Sequence, residues 1–460
     1  QKAASYSGMV PGCISGMYDP NETLLHLQPL ADWANIEFIN DQVVDLDLER
    51  NLVYCRNNQD TPYHFDVLSL DIGSGSRGLF DTLGTQEYTI PTRPIHDLMT
   101  RIDAKEQELL QKQEDDVHVV IVGGGAAGVE LSLSIHGRWS NTFKTLQVTI
   151  LDAGTALLPN ESPTCREALF DILNEKNIHV KYKSGVAQVQ KDAICLRNGQ
   201  CVSYDVCIWA TGAAAHPLAL KLQQKGLAGT PQGWIRVNKY LQSLSHPNVF
   251  AAGDCANVEL DKDQSSLSPI INGGTPPPSL VPKAGVYAVR SGPVLIENLT
   301  KILQLQHQQN SLGHGTSGAD AESPLTVYTP QEDFLKLIVC GDGKALGFRF
   351  GMSIHGKWVM KLKDAIDQKF MDLFRAEHLP VLTEGTPYDT SQYDATFFQS
   401  DQPEQIEPVE AAKLLQRTDD DVDFQVAWKI LRDMAGDKPY RKEVLLCYPG
   451  VLEGEVPVKC

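Results

Sequence analysis

The stretch VHVVIVGGGAAGVE, residues 117 to 130, constrains the fold more than any other. Five apolar residues of strand type run into Gly123, Gly125 and Gly128, and a run of small residues able to open a helix follows. The first glycine permits a tight turn, the second lets a pyrophosphate approach the backbone, and the third lets the helix pack close to the strand. A helix starting there points its free N–H groups and the positive end of its dipole at an anion. The next strand, LQVTILDAG, ends in Asp152, twenty-four residues after Gly128. A carboxylate there accepts hydrogen bonds from ribose hydroxyls and repels a 2′-phosphate, so NADH is expected over NADPH.

Such a unit ordinarily opens a chain, yet here more than a hundred residues precede it. Residues 24 to 70 read as short alternating strands, and charge on a helical period over 95 to 113 predicts a connecting helix. After Asp152, a helix over 164 to 176 and a meander over 178 to 209, ending in YDVCIWATG, complete a βαβ unit with an added small sheet. Residues 259 to 282 are rich in Pro, Ser and Gly and predict a loop feeding a helix near Lys283. A second soft segment is expected over 304 to 324. LTVYTP and FLKLIVCGDGKALGFRFG then read as strands, the latter pair closed at Gly341-Asp342-Gly343. KWVMKLKDAIDQKFMDLF predicts a helix with Trp358, Leu362, Ile366, Phe370 and Leu373 on one face. Lys357, Lys361, Lys363 and Lys369 flank that stripe. It is expected to pack on the neighbouring sheet, the alternative being contact with a membrane surface. Residues 384 to 408 read as an acidic linker before a short helical tail.

The 460 residues suit two to three domains, and their net charge of -18 disfavours nucleic acid as a partner. No apolar run is long enough for a transmembrane helix. The ten cysteines form no C-x-x-C pair, so no redox disulfide and no metal site are expected, and a reducing compartment, cytoplasmic or organellar, fits best. Cys195, Cys201 and Cys207 recur every six residues, which follows strand alternation rather than a metal pattern. Cys13, in VPGCISG, reads as a small buried residue rather than a redox thiol.

VFAAGDCA, residues 249 to 256, is a buried strand that ends in Gly253-Asp254, where a carboxylate suits a sugar-like hydroxyl. The glycine turn at 123 to 128, ATG at 210 to 212 and this Gly-Asp occur in that order. The order resembles the pyridine nucleotide-disulfide oxidoreductase-like flavoproteins, which carry two dinucleotide-binding domains. YSGMVPGCISGMY, PKAGVYAVRSGPVLIENL and KWVMKLKDAIDQKFM look like the NADH dehydrogenase-like module found alone or fused ahead of selenide, water dikinase.

The resemblance implies an α/β fold of two Rossmann-like domains, the NAD domain inserted in the FAD domain, plus a smaller C-terminal α+β domain. The expected boundaries are 1–116 and 246–303 for FAD, 117–245 for NAD(H), 325–380 for the α+β domain and 381–460 for the linker and tail. The family's opening glycine-rich FAD unit precedes the YSGM segment and is not found in these residues, and no kinase half follows residue 380. Cofactor contacts are implied for Gly123, Gly125, Gly128, Asp152, Gly212, Gly253 and Asp254, the last with the FAD ribityl chain. Glu130 and Lys283 are the catalytic candidates, Glu130 near the nicotinamide. Lys283, at a helix start aimed at the flavin, would stabilise an anionic reduced ring together with the dipole, whose share is about 0.3–2 kcal/mol. The expected activity is hydride transfer from NADH to FAD and on to a small-molecule acceptor, a quinone among the candidates. The rival readings are a membrane-peripheral type II NADH:quinone oxidoreductase and a noncatalytic nucleotide-binding scaffold that lost FAD. Homodimer formation is compatible with all three.

Overall fold

The computed structural model describes residues 2–260, 281–312, 324–331, 333–349, 351–375 and 378–379. They divide into two units, one built from residues 2–38, 76–212 and those from 333 onward, the other from 39–75 and 213–331.

The first unit centres on a five-stranded, wholly parallel sheet. Its strands are β1 (Ile90–Pro91), β2 (Asp116–Val122), β3 (Thr145–Leu151), β4 (Ile178–Lys181) and β5 (Val206–Trp209), in the order β4-β3-β2-β5-β1. Helix α1 (Ala126–Trp139) joins β2 to β3, and α2 (Pro163–Glu175) joins β3 to β4. Parallel strands need cover on both faces, which the composition of β2 supplies. Val119 and Ile121 enter one apolar cluster with Val129, Leu133 and Ile150, while Val120 and Val122 enter another with Cys207 and Trp209. Each such buried branched side chain is worth about 1.5–3 kcal/mol. The meander is a three-stranded antiparallel sheet over 186–203, and the connecting helix is Leu98–Gln111.

A second, antiparallel sheet in this unit consists of β6 (Lys336–Val339), β7 (Ala345–Arg349) and β8 (Met352–Gly356), backed by α3 (Lys357–Asp372). It closes onto α1 through two glycines. A Cβ on Gly137 would lie 1.9 Å from the Gly341 carbonyl oxygen, and one on Gly341 would lie 2.1 Å from that of Leu133. Only bare backbone permits this approach.

The second unit pairs Val249–Ala251 in parallel with Leu68–Leu70, and Ile235–Val237 with Ala256–Val258, beside an antiparallel sheet over 43–64. Phe250 is fully buried at its centre, and the helix Gly285–Leu312 contributes Leu295 to the same core.

Several expectations change. Leu27–Trp33 is a helix inside the region read as strands. The helix after Lys283 continues to Leu312, since LTKILQLQHQQ is made mostly of good helix formers, so the soft segment does not begin at 304. LTVYTP is no strand: Asn298 on the helix donates to the Thr326 carbonyl at 2.8 Å and accepts from its N–H at 2.7 Å, and the Tyr328 N–H donates to the Lys239 carbonyl at 2.8 Å. MSIHG, not anticipated, is β8. On α3 the buried face carries Val359, Leu362, Lys363, Ile366 and Asp367, whereas Leu373 is exposed, so Lys363 belongs to the interior rather than to a charged flank. Trp358 packs against the sheet-facing cluster. Cys195 and Cys201, read from their spacing as strand residues and not as metal ligands, face each other across the meander with Cα atoms 4.2 Å apart and form a disulfide that the spacing does not announce. Strand alternation places them on the same face of adjacent strands, and antiparallel register makes them neighbours. Most of the 259–282 loop, and the linker and tail beyond 381, lie outside the described residues.

Candidate functional site

In the first unit, the end of β2 feeds the glycine turn as the sequence requires. Gly123 has φ +123°, and a Cβ there would lie 2.4 Å from the Ala210 carbonyl oxygen. One on Gly128 would lie 1.9 Å from the Gly123 carbonyl oxygen, so α1 sits directly on the turn. Gly125 is different. It occupies the N-cap of α1 with no side-chain cap and has no atom within 4 Å of a Cβ position. The helix N-terminus is therefore open where an anion would enter. Asp152 stands beside it: its carboxyl lies 2.7 Å from the Cβ position of Gly124 and accepts from the Gly154 N–H at 3.2 Å. Gly212 lies beyond β5, on the opposite side of β2, with its carbonyl accepting from the Arg77 N–H at 2.8 Å. The dinucleotide half of the expected residues thus lines the C-terminal edge of one sheet, which is where open parallel sheets take their ligands.

Glu130 lies one turn into α1, with its carboxyl turned toward the second sheet. Its Oε1 accepts from the Val339 N–H at 2.8 Å. The residue is half-buried, yet its carboxyl is enclosed by protein, and this desolvation raises its pKa to about 7 against the opposing pull of the Lys363 charge and the Val339 N–H. Lys363 Nζ donates to Asp367 Oδ2 and to the Gly8 carbonyl, each at 2.5 Å, and Tyr6 Oη donates to Asp367 Oδ1 at 3.2 Å. Lys363 and Asp367 are 5% and 3% exposed. Burial also raises the Asp367 pKa, with Lys363 pulling it back. One ammonium therefore serves two carboxyls, and Glu130 is left near half-protonated at neutral pH, the condition for an acid–base group. Lys363, Asp367 and Tyr6 carry no sequence signal as site residues. KLKDAID looks like a solvated helix face, and only the packing of residues 6–8 onto α3 reveals otherwise.

Cys13 is buried, and burial pushes its thiol up to about 11, which leaves it a packing residue.

The second unit gathers Gly253, Asp254 and Lys283. Ser74 Oγ donates to Asp254 Oδ2 at 2.8 Å. Gly253, at φ +66°, lies against the first turns of the helix Gly285–Leu312, its Cβ position 3.3 Å from the Ala288 Cβ. Lys283 donates to the Ala256 carbonyl, and its Nζ stands 4.6 Å from the centre of the Trp234 ring. Burial lowers its pKa to about 8, with Asp254 opposing. Asp254 and Lys283, expected separately at a ribityl chain and at a helix start, both lie in this unit, and the contacts of Ser74 with Asp254 and of Trp234 with Lys283 carry no sequence signal.

The family model of pyridine nucleotide-disulphide oxidoreductases matches residues 6–285. The chain belongs to that family. It is 27% identical over 250 residues to a probable NADH dehydrogenase of Dictyostelium discoideum, covering 50% of this chain and 54% of that one. It is 32% identical over 165 residues to the type II NADH:quinone oxidoreductase of Haemophilus influenzae, covering 34% and 37%. The chain spans about half the length, or less, of these relatives. Its fold matches that of the sulfide:quinone oxidoreductase of Aquifex aeolicus, with a TM-score of 0.62 and 19% identity over 83% of this chain and 85% of that one. It also matches NDH2 of Plasmodium falciparum, solved with NADH, with a TM-score of 0.56 and 16% identity over 83% and 93%.

Proposed function

We propose that this chain is an FAD-dependent NAD(P)H oxidoreductase that prefers NADH and passes its electrons to a quinone-type acceptor. The observation that carries the reading is the open α1 N-terminus at Gly125 with Asp152 beside it. The turn offers unpaired N–H groups to a pyrophosphate and a carboxylate to a ribose, and a 2′-phosphate would meet the Asp152 charge. The residues around Asp254 fit the ribityl side of a flavin: a carboxylate held by Ser74, close to the start of a long helix, with a partly desolvated cation beside it. When bound, the nicotinamide supplies a hydride and the flavin accepts it.

The chain's own residues bind, orient and move protons. Gly123, Gly125 and Gly128 hold the pyrophosphate, and Gly212 leaves room for the chain of the dinucleotide. Lys283, at about 8, keeps a positive charge at neutral pH and favours negative charge on a neighbouring ring. Glu130, at about 7, holds or releases a proton at its carboxyl as the acceptor is reduced. The quinone is favoured by the H. influenzae relative and by a demethylphylloquinone reductase of Synechocystis that is 26% identical over 216 residues. Among the described residues no helix is long and apolar enough to cross a membrane.

The test uses purified full chain supplied with FAD. A flavin absorbance band together with NADH oxidation by ferricyanide and by a short-chain quinone is the expected result. Material that stays colourless and leaves NADH untouched refutes the reading.

A further inference from the structure

The backbone of Arg77 is fixed by several hydrogen bonds to the end of β5. Its N–H donates to the Gly212 carbonyl at 2.8 Å, and its own carbonyl accepts from Trp209 Nε1 at 2.8 Å and from Thr211 Oγ1 at 2.6 Å. The guanidinium, by contrast, makes no ion pair or hydrogen bond with any described residue, although acidic groups outnumber basic ones across the chain. The residue is exposed, and its Nη2 comes within 3.7 Å of the Cβ position of Gly212. Gly212 follows Ala210 and Thr211, whose backbone lies 2.4 to 3.1 Å from the Cβ position of Gly123. An arginine whose backbone is fixed and whose guanidinium is unpaired among the described residues therefore stands beside the glycine turn.

Its side of the turn is defined by the sheet order. Asp152 follows β3 and Arg77 is tied to β5, with β2 and its glycine turn between them. The chain reverses direction across the sheet at this point, and a dinucleotide laid across such a switch point spans both neighbours of the central strand. With the adenosine ribose at Asp152, the other nucleotide half falls on the Arg77 side. We propose that Arg77 is a binding residue for that half, its guanidinium forking onto the phosphate of the nicotinamide mononucleotide portion. A planar fork of five N–H donors matches phosphate geometry, which a lysine does not reproduce. The inference rests on the dinucleotide reading given above and adds a residue that neither the glycine motif nor Asp152 implies.

The test is equilibrium binding to the full chain: NADH by its fluorescence, and AMP by competition. For Arg77→Gln the expected result is NADH binding weakened about tenfold or more, as the loss of a charged hydrogen bond requires, with AMP binding within twofold of wild type. Retained AMP binding also shows that the α1 turn is intact in the variant. Arg77→Lys is expected to fall between the two. NADH affinity unchanged in Arg77→Gln, or an equal loss for AMP and NADH, overturns the assignment. Wild-type protein that binds neither ligand refutes the dinucleotide reading and this inference with it.

Discussion

Replacing Glu130 with Gln tests the electrostatics of the candidate site without depending on any cofactor. The side chain keeps its shape and keeps a carbonyl oxygen for the Val339 N–H, but it can no longer ionise. In the native protein burial moves the carboxyl from its ordinary 4.5 to about 7. At ~1.36 kcal/mol per pH unit this is worth about 3 kcal/mol, an upper value because the residue is half-buried and water screens part of it. The sign follows from which state holds the proton. Below pH 4.5 both folded and unfolded chains carry the protonated acid, and the group costs nothing. As pH rises above 4.5 the unfolded chain ionises while the folded one does not, so stability is lost until pH passes about 7. The substituted amide titrates nowhere in this window. It adds a pH-independent offset if one of its N–H groups lacks a partner, so the slope carries the test and not the absolute difference. The melting temperature of Glu130→Gln minus that of wild type is expected to climb by up to roughly 6 °C between pH 4.5 and pH 8, at ~2 °C per kcal/mol for a large domain. Differential scanning calorimetry of the full chain across that range measures it. A difference that stays flat, or that falls with pH, would show that the Glu130 carboxyl is solvated or fully paired with Lys363, and the assignment of an acid–base group would fail.

Three further outcomes follow from the same geometry. Gly128→Val places a side chain where a Cβ alone already lies 1.9 Å from the Gly123 carbonyl. It should force α1 off the turn and abolish NADH binding as read by its fluorescence, and near-native affinity would contradict the close approach. Gly137→Ala, blocked at 1.9 Å by the Gly341 carbonyl, should cost about 1–3 kcal/mol by separating the second sheet from α1; urea unfolding with no shift in midpoint would refute this. Lys283→Met removes the cation next to Asp254 and should lower the flavin midpoint potential in a spectroelectrochemical titration of the reconstituted protein, whereas an unchanged potential would place the lysine away from the ring.

The parallel sheet, the glycine turn, Asp152 and the Gly253-Asp254 corner were legible because each depends on short-range chemistry. Strand residues buried on both faces read as an unbroken apolar run, and a turn with φ +123° at Gly123 demands glycine wherever it occurs. The same local character explains the misreadings. LTVYTP has strand composition, but Asn298 on the preceding helix takes both backbone groups of Thr326, and the Tyr328 N–H goes to the Lys239 carbonyl. Cys195 and Cys201 carry no spacing signal of their own, and only antiparallel register brings them together.

What residue types and their order determined by themselves was the kind of ligand pocket to expect, since a phosphate-binding turn and its partner acid lie within one βαβ unit. Tertiary structure alone decided where charge is buried. Lys363 and Asp367 sit four residues apart in a segment that looks water-facing, and Tyr6 and Gly8 reach them from more than three hundred and fifty residues away along the chain. The proton affinity of Glu130 follows from that enclosure, because the cost of an ion depends on how much water the fold removes from around it, and no local pattern of residues specifies that quantity.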